Sequence, residues 1–165
     1  MQTIPMTAIG TVRSQVGARK EDFWGETEST IELDSAAFTT EALAGLSEFS
    51  HVEVLFHFHN FPQERIVTST RHPRENPDWP RVGIFAQRGK ARPNRMGATI
   101  CRLLGVDGLR VRVSGLDAFD GTPVVDIKPV MAESVPEKGE IRQPAWSREL
   151  MASYFAVENR QTGRS

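Results

Sequence analysis

Residues 50–58 read Ser50-His51-Val52-Glu53-Val54-Leu55-Phe56-His57-Phe58. Successive side chains of an extended strand point to opposite faces, so Val52, Val54, Phe56 and Phe58 share one face. His51, Glu53, Leu55, His57 and His59 take the other. That alternation predicts a strand with one face in a core and one turned outward, the pattern of an antiparallel sheet. Working outward, residues 7–13, 30–33, 81–87, 97–106, 109–116 and 123–130 are short and rich in β-branched residues, and each predicts a strand. Asp107-Gly108, between two such runs, is a hairpin signal. Asp34-Ser35 offers helix-capping oxygens before a run in which Phe38, Leu43 and Leu46 would face inward from a first helix. Pro144 suits the first turn of a second helix, with Trp146, Leu150, Met151, Tyr154 and Phe155 as its apolar face. The expected fold is mainly β: a small single-domain barrel of about six or seven largely antiparallel strands with two helices. Residues 1–135 would form the barrel, and residues 136–165 a C-terminal helix and tail packed on it. Residues 60–80 carry Pro62, Pro73, Pro77 and Pro80, and no regular element fits them. A loop of that length within a compact domain is often functional.

The chain has 165 residues, 39% of them hydrophobic, enough for one domain with a real core. Its net charge is −1, from 20 basic and 21 acidic residues, so the whole molecule is not a polycation that coats nucleic acid. The average hides an asymmetry. Between Trp79 and Val106 stand Arg81, Arg88, Lys90, Arg92, Arg95 and Arg102, with no acid among them. The remainder holds 14 basic and 21 acidic residues, a net of −7. A positive segment on a negative body points to a local anion site, unless it is a solvated basic loop. One cysteine, Cys101, excludes an internal disulfide and fits a reducing compartment. No apolar run is long enough to span a bilayer, and the N-terminus lacks a signal core. The expectation is a soluble cytoplasmic domain with no membrane partner.

The common nucleotide fingerprints, G-x-G-x-x-G after a strand and G-x-x-x-x-G-K-[ST], are absent, which argues against a Rossmann-type cofactor site. No G-x-S-x-G turn presents a serine nucleophile. Cys101 lies in an apolar strand and reads as core. His51, His57 and His59 share a face and offer imidazoles to a metal, but no carboxylate or cysteine stands at a persuasive ligand spacing. The alternative is that they line a polar cavity or an interface. Two denser stretches remain. In Gly83-Ile84-Phe85-Ala86-Gln87-Arg88-Gly89-Lys90-Ala91-Arg92-Pro93-Asn94-Arg95-Met96-Gly97, Gly89, Pro93-Asn94 and Gly97 force turns, and Arg88, Arg92 and Arg95 offer planar donors to a carboxylate or phosphate. In residues 116–130, the turn Asp120-Gly121-Thr122-Pro123 is flanked by Asp117, Asp126 and Lys128. Carboxylates there suit a sulfonium or amine; the plainer reading is an Asp-Gly turn beside a salt-bridged strand.

Together with I-G-T-V-R-S at 9–14 and L-S-E-F-S-H-V-E-V-L-F-H-F-H at 46–59, these stretches occur in the order of a known family. The chain resembles the TsaA-like (YaeB-like, TrmO) S-adenosylmethionine-dependent methyltransferases over most of residues 8–130. The resemblance implies a small, mainly β barrel that works as a homodimer and binds S-adenosyl-L-methionine without a Rossmann fold. It implies methylation of N6 of threonylcarbamoyladenosine at position 37 of certain tRNAs, with no DNA partner. Matching motif positions place His59, Asn60, Arg88, Ala98, Leu116, Asp117, Ala118 and Phe119 at the cofactor, with Phe23, Trp24 and Gly25 from a nearby loop. An N6 bearing a carbamoyl group is a poor nucleophile until its proton leaves, so a base or a cation near the developing charge would help. Arg88 and Arg92 are the candidates for substrate charge, and Asp120 for proton removal or cofactor contact. Gln87, Arg95, Met96 and Val130 depart from the family's usual threonine, proline, isoleucine and tyrosine. Longer members carry an extra C-terminal domain, so the chain reads as the catalytic core without it. The competing reading is a cofactor-binding dimer that acts on a small molecule or senses the cofactor; a metal enzyme using His57 and His59 is a third.

Overall fold

The computed structural model describes residues 2–17 and 20–157. Strands β1 (Gly10–Ser14), β2 (Glu28–Leu33) and β3 (His51–His57) come first. A two-residue strand, β4 (Thr70–Arg71), pairs with β5 (Val82–Gly83). Then follow β6 (Met96–Asp107), β7 (Arg110–Ser114), β8 (Pro123–Pro129) and one α-helix, α1 (Ala145–Met151). Six strands close into a barrel in the order β1-β2-β7-β6-β3-β8, with β8 returning to β1, and every pairing is antiparallel. Closure removes the exposed sheet edges that a half-apolar strand would otherwise offer to other chains. β4 and β5 form a separate ribbon.

The alternation seen in residues 50–58 sets the interior. Val52, Val54 and Phe56 are buried in β3, facing Val12, Ile31, Cys101, Val111, Val113 and Val124 from the other five strands. Phe56 pairs with Gly97 on β6 and with Val124 on β8. A Cβ on Gly97 would lie 2.5 Å from the Phe56 ring, so the ring occupies the space a side chain would take. β3 is bulged at Leu55–Phe56 against β8, and β6 at Leu103–Gly105 against β7, which bends these strands round the barrel.

Three expectations are corrected. The first helix does not form. Asp34 instead receives the Ala36 amide on its side chain at 2.9 Å and makes a tight turn. Residues Thr40–Leu43 and Leu46–Glu48 are single 3-10 turns, separated by Gly45 at φ 81°. Thr39 is extended (φ −106°, ψ 170°) and Ala44 is non-helical (φ −59°, ψ 129°), so the helical path is broken before Gly45 is reached, and Leu43, Phe38 and Leu46 still reach the core from these turns. Residues 81–87 are not one strand: β5 stops at Gly83 and Ile84–Ala86 turn. The last helix is also shorter than its apolar face, so Tyr154 and Phe155 lie in the turn beyond Met151. Residues 60–80 form the expected irregular excursion, apart from β4 and two 3-10 turns. Residues 158–165 of the expected tail lie outside the described residues.

Candidate active site

Asp117 is the hub of the polar groups at one end of the barrel. After β7, Gly115 adopts φ 87° and turns the chain, and Leu116 and Ala118 are then buried while Asp117 and Phe119 stay half-buried. Alternation thus anchors the backbone on two apolar side chains and presents a carboxylate between them. One Asp117 oxygen accepts the hydroxyl of Thr99, a buried residue of β6. The other accepts the phenol of Tyr154. Burial first, and then the charge of Asp117, push the Tyr154 hydroxyl well above the usual phenol range, so it remains a donor. The Arg74 guanidinium sits 5.7 Å from the centre of the Tyr154 ring. Arg74 also grips Asp22 with two nitrogens, at 3.0 and 2.8 Å, and the Glu21 carbonyl at 3.0 Å. Arg74 and Glu75 have φ of 49° and 60°, two adjacent left-handed residues at the tip of the excursion. Such strain persists only where the surroundings over-determine it, and the fork on Asp22 does so.

The Phe23-Trp24-Gly25 loop is laced to the segment after α1. The Phe23 amide donates to the Ser153 carbonyl at 3.0 Å and the Trp24 amide to the Tyr154 carbonyl at 2.8 Å. Phe23 is held at φ 62°. Trp24 is buried, with its ring centre 5.9 Å from that of Phe119 and the Lys20 ammonium 5.3 Å away on its face. Its indole N–H has no hydrogen-bond partner among the described residues. A buried donor without a partner is costly and commonly marks a place where a ligand or water supplies the acceptor.

The basic stretch wraps the same end. Arg88 donates to the Ala98 carbonyl on β6, one residue from Thr99, and its charge acts on Tyr154. Arg92 donates to the Gln87 carbonyl at 3.1 Å, and the Gln87 amide in turn holds the Arg71 and Val82 carbonyls at 3.1 and 3.0 Å. Gln87 therefore clamps the β4–β5 ribbon. Arg95 adopts φ 49° and donates to the Phe61 carbonyl at 2.9 Å. His59 follows β3 with its Nε2 about 4 Å from where a Cβ on Gly121 would stand, and Asn60 beyond it is exposed. Burial, then the charges of Arg95 and His59, lower the His57 pKa. Among the described residues no group of three His, Cys, Asp or Glu side chains is placed to hold a metal.

The structure thus brings Phe23, Trp24, Gly25, Arg88, Ala98, Leu116, Asp117, Ala118 and Phe119 to one end of the barrel, with His59 beside the Gly121 turn. Asp120 looks elsewhere: its carboxylate accepts the Ser14 amide at 3.0 Å and lines a 350 Å³ groove with Arg13 and Arg112. A larger groove of 630 Å³ runs along the outer barrel wall past Ile100, Arg102 and Leu104, and reaches Gly25, Gly115 and Phe155. Sequence reasoning missed Thr99, Tyr154, Arg74 and Asp22. A threonine inside the apolar run of β6 is a faint signal of a buried polar partner. Tyr154, the chain's one tyrosine, sits among apolar residues and reads as core.

Residues 15–134 match the family described as the tRNA-methyltransferase O N-terminal domain. A mouse tRNA (adenine(37)-N6)-methyltransferase is 44% identical over 92 residues, which cover 56% of this chain and 21% of that protein. The Escherichia coli K12 protein of the same name is 37% identical over 128 residues, 73% of this chain and 54% of that one. A putative S-adenosylmethionine-dependent methyltransferase RcsF of Pseudomonas aeruginosa PAO1 is 42% identical over 100 residues, 61% of this chain and 43% of that one. The crystal structure of TrmO from Pseudomonas aeruginosa superposes with a TM-score of 0.69 at 30% identity, over 88% of this chain and 62% of that one. The chain spans about half the length, or less, of these curated relatives. With the family matched across most of its length and the same barrel in solved relatives, the chain belongs to the tRNA-methyltransferase O N-terminal-domain family.

Proposed function

We propose that the chain binds S-adenosylmethionine at the Asp117 end of the barrel and transfers its methyl group to N6 of threonylcarbamoyladenosine at position 37 of tRNA. The observation that carries this reading is the family match, which spans β2 to β8 and every residue of the Asp117 cluster except Tyr154. The donor set fits such a cofactor. Asp117 offers a carboxylate to an ammonium or hydroxyl, the half-buried Phe119 ring, packed against Trp24, offers an apolar face, and the Trp24 indole N–H awaits an acceptor. The bound cofactor supplies the electrophilic methyl carbon, so the protein forms no covalent intermediate. The protein's task is to hold donor and acceptor in line and to exclude water.

Arg88 and Arg92 serve the substrate side. Each spends one nitrogen on a backbone carbonyl, of Ala98 and Gln87 respectively, which fixes the side chain in place. Guanidinium groups so fixed favour the negative charge that develops when the carbamoylated N6 loses its proton. Asp120 holds the loop after β1 through the Ser14 amide, so a role in taking that proton needs its carboxylate to turn from this bond. The working unit is proposed to be a homodimer, with Ile100 and Phe155, each 45% exposed at the outer groove, as apolar surface for the second copy. No helix among the described residues is long and apolar enough to cross a membrane, and a cytoplasmic setting is proposed. Incubation with labelled S-adenosylmethionine and bulk tRNA should place label in the tRNA, recovered on digestion as methylated threonylcarbamoyladenosine. Cofactor binding with no label in any tRNA would favour the small-molecule or sensing reading. No binding at millimolar cofactor would end both.

A further inference from the structure

We infer that Tyr154 is a positioning residue for the cofactor: its hydroxyl, delivered by the segment after α1, holds the Asp117 carboxylate in the orientation that receives the ligand. The inference rests on the proposed cofactor site and extends that site to a segment outside the barrel and outside the matched family region, which ends at residue 134.

Three observations carry it. First, Asp117 has a fixed backbone, because Leu116 and Ala118 are buried on either side, so only its side-chain torsions remain to be set. Thr99 sets one oxygen and Tyr154 the other. Second, both donors are neutral hydroxyls, so the carboxylate is oriented without its charge being cancelled. A carboxylate has about four lone-pair sites, and the two hydroxyls use two of them, which leaves acceptor capacity for a ligand's ammonium or hydroxyl. Of the two cations whose charge reaches Tyr154, Arg74 is committed to Asp22 and to the face of Tyr154, and Arg88 to the Ala98 carbonyl. Third, Tyr154 is itself held from several sides. Its carbonyl accepts the Trp24 amide, its amide donates to Met151, and the Phe155 ring packs edge-on at 4.9 Å. The helix before it is tied to the excursion by the Trp79 indole, which donates to Glu149 at 2.8 Å. Loop, excursion and C-terminal segment thus converge on one hydroxyl, whose side-chain hydrogen bond among the described residues goes to Asp117.

The test is calorimetric titration of S-adenosylmethionine into the wild-type chain, Tyr154→Phe, Asp117→Asn and the double variant. Phenylalanine keeps the ring and its packing and removes the hydroxyl. The wild type should bind, and Tyr154→Phe should bind about tenfold more weakly, the scale of one hydrogen bond to a charged group. The double variant should bind no worse than Asp117→Asn alone, because the hydroxyl acts through the carboxylate. A merely structural tyrosine would make the two losses multiply. A second measurement needs no variant: amide exchange in residues 145–157, and at Phe23 and Trp24, should slow on adding the cofactor to the wild type. Unchanged affinity in Tyr154→Phe, multiplying losses, or exchange indifferent to the cofactor would each overturn the inference while leaving the cofactor site standing. A wild type that does not bind removes the proposed function, and this inference with it.

Discussion

Gly25 lies directly beneath the backbone of Phe155: a Cβ at residue 25 would stand 2.1 Å from the Phe155 carbonyl oxygen. No side chain fits there, so the glycine is what allows the loop and the C-terminal segment to exchange the Phe23–Ser153 and Trp24–Tyr154 backbone bonds. Gly25→Ala should part the two. The barrel loses nothing directly, so the far-ultraviolet spectrum should be kept. Proteolysis after Arg148 should quicken markedly, because the segment's docked state is depopulated. Cleavage at the wild-type rate would show that the close approach does not govern docking.

A second close approach lies inside the barrel. A Cβ on Gly97 would meet Phe56 Cε2 and Cζ at 2.5 Å each, in a core where the Phe56 ring is almost wholly buried. Gly97→Ala should cost about 1–3 kcal/mol, the scale of overpacking a well-filled site. Phe56→Leu alone should destabilise by leaving a cavity. The double variant, with more room for the new methyl, should be more stable than the sum of the two losses predicts. Denaturant titrations of the four proteins check this, and strictly additive losses would show that the ring and the glycine do not share the space.

Much of the barrel is legible in the sequence. The period of two in residues 50–58 marks Val52, Val54 and Phe56 as core, because a strand side chain has only two faces to choose from. The hairpin at Asp107-Gly108 is equally local, and Gly108 takes the φ of 57° such turns require. The failed first helix shows the limit. Its capping signal at Asp34 is real, but the same oxygen serves a turn as readily as a helix, and the chain turns extended at Thr39 before a helix can propagate. Of the site, the motif residues were legible and their partners were not. Thr99 precedes Asp117 by 18 residues and Tyr154 follows it by 37, and pairings at such range are set by barrel closure and by how α1 docks. Arg74 was hidden for another reason: residues 60–80 have no period, so nothing in them shows which side chain turns inward.

Arg95 occupies φ 49° and donates its amide to the Arg92 carbonyl at 3.0 Å. Proline fixes φ near −65° and has no amide hydrogen. Arg95→Pro, which would restore the family's more usual residue, should therefore destabilise this chain by more than about 1 kcal/mol. Arg95→Gly can adopt the left-handed conformation without strain but loses the guanidinium bond to Phe61. It should sit between proline and wild type in thermal unfolding. A proline variant as stable as wild type would mean that the R-P-N-R turn can reshape without loss.

Two buried groups should make stability fall at alkaline pH. Burial, reinforced by the charge of Asp117, pushes both the Cys101 thiol and the Tyr154 phenol far above their ordinary values of 9.0 and 10.0. In the unfolded chain each ionises near its ordinary value, while in the folded chain each keeps its proton. Above pH 9 the unfolded state therefore binds fewer protons than the folded state, and stability falls as pH rises. Below pH 9 neither group contributes a slope. Denaturation midpoints measured from pH 8 to 11 should be level at first and then decline. Cys101→Ala should flatten the part that begins near pH 9, and Tyr154→Phe the part that begins near pH 10. The same burial makes the thiol unreactive in the native state, since the thiolate is the nucleophile. Ellman's reagent at pH 8 should thus label Cys101 only once denaturant unfolds the barrel, and rapid native labelling would show that β6 opens far more readily than a closed barrel allows.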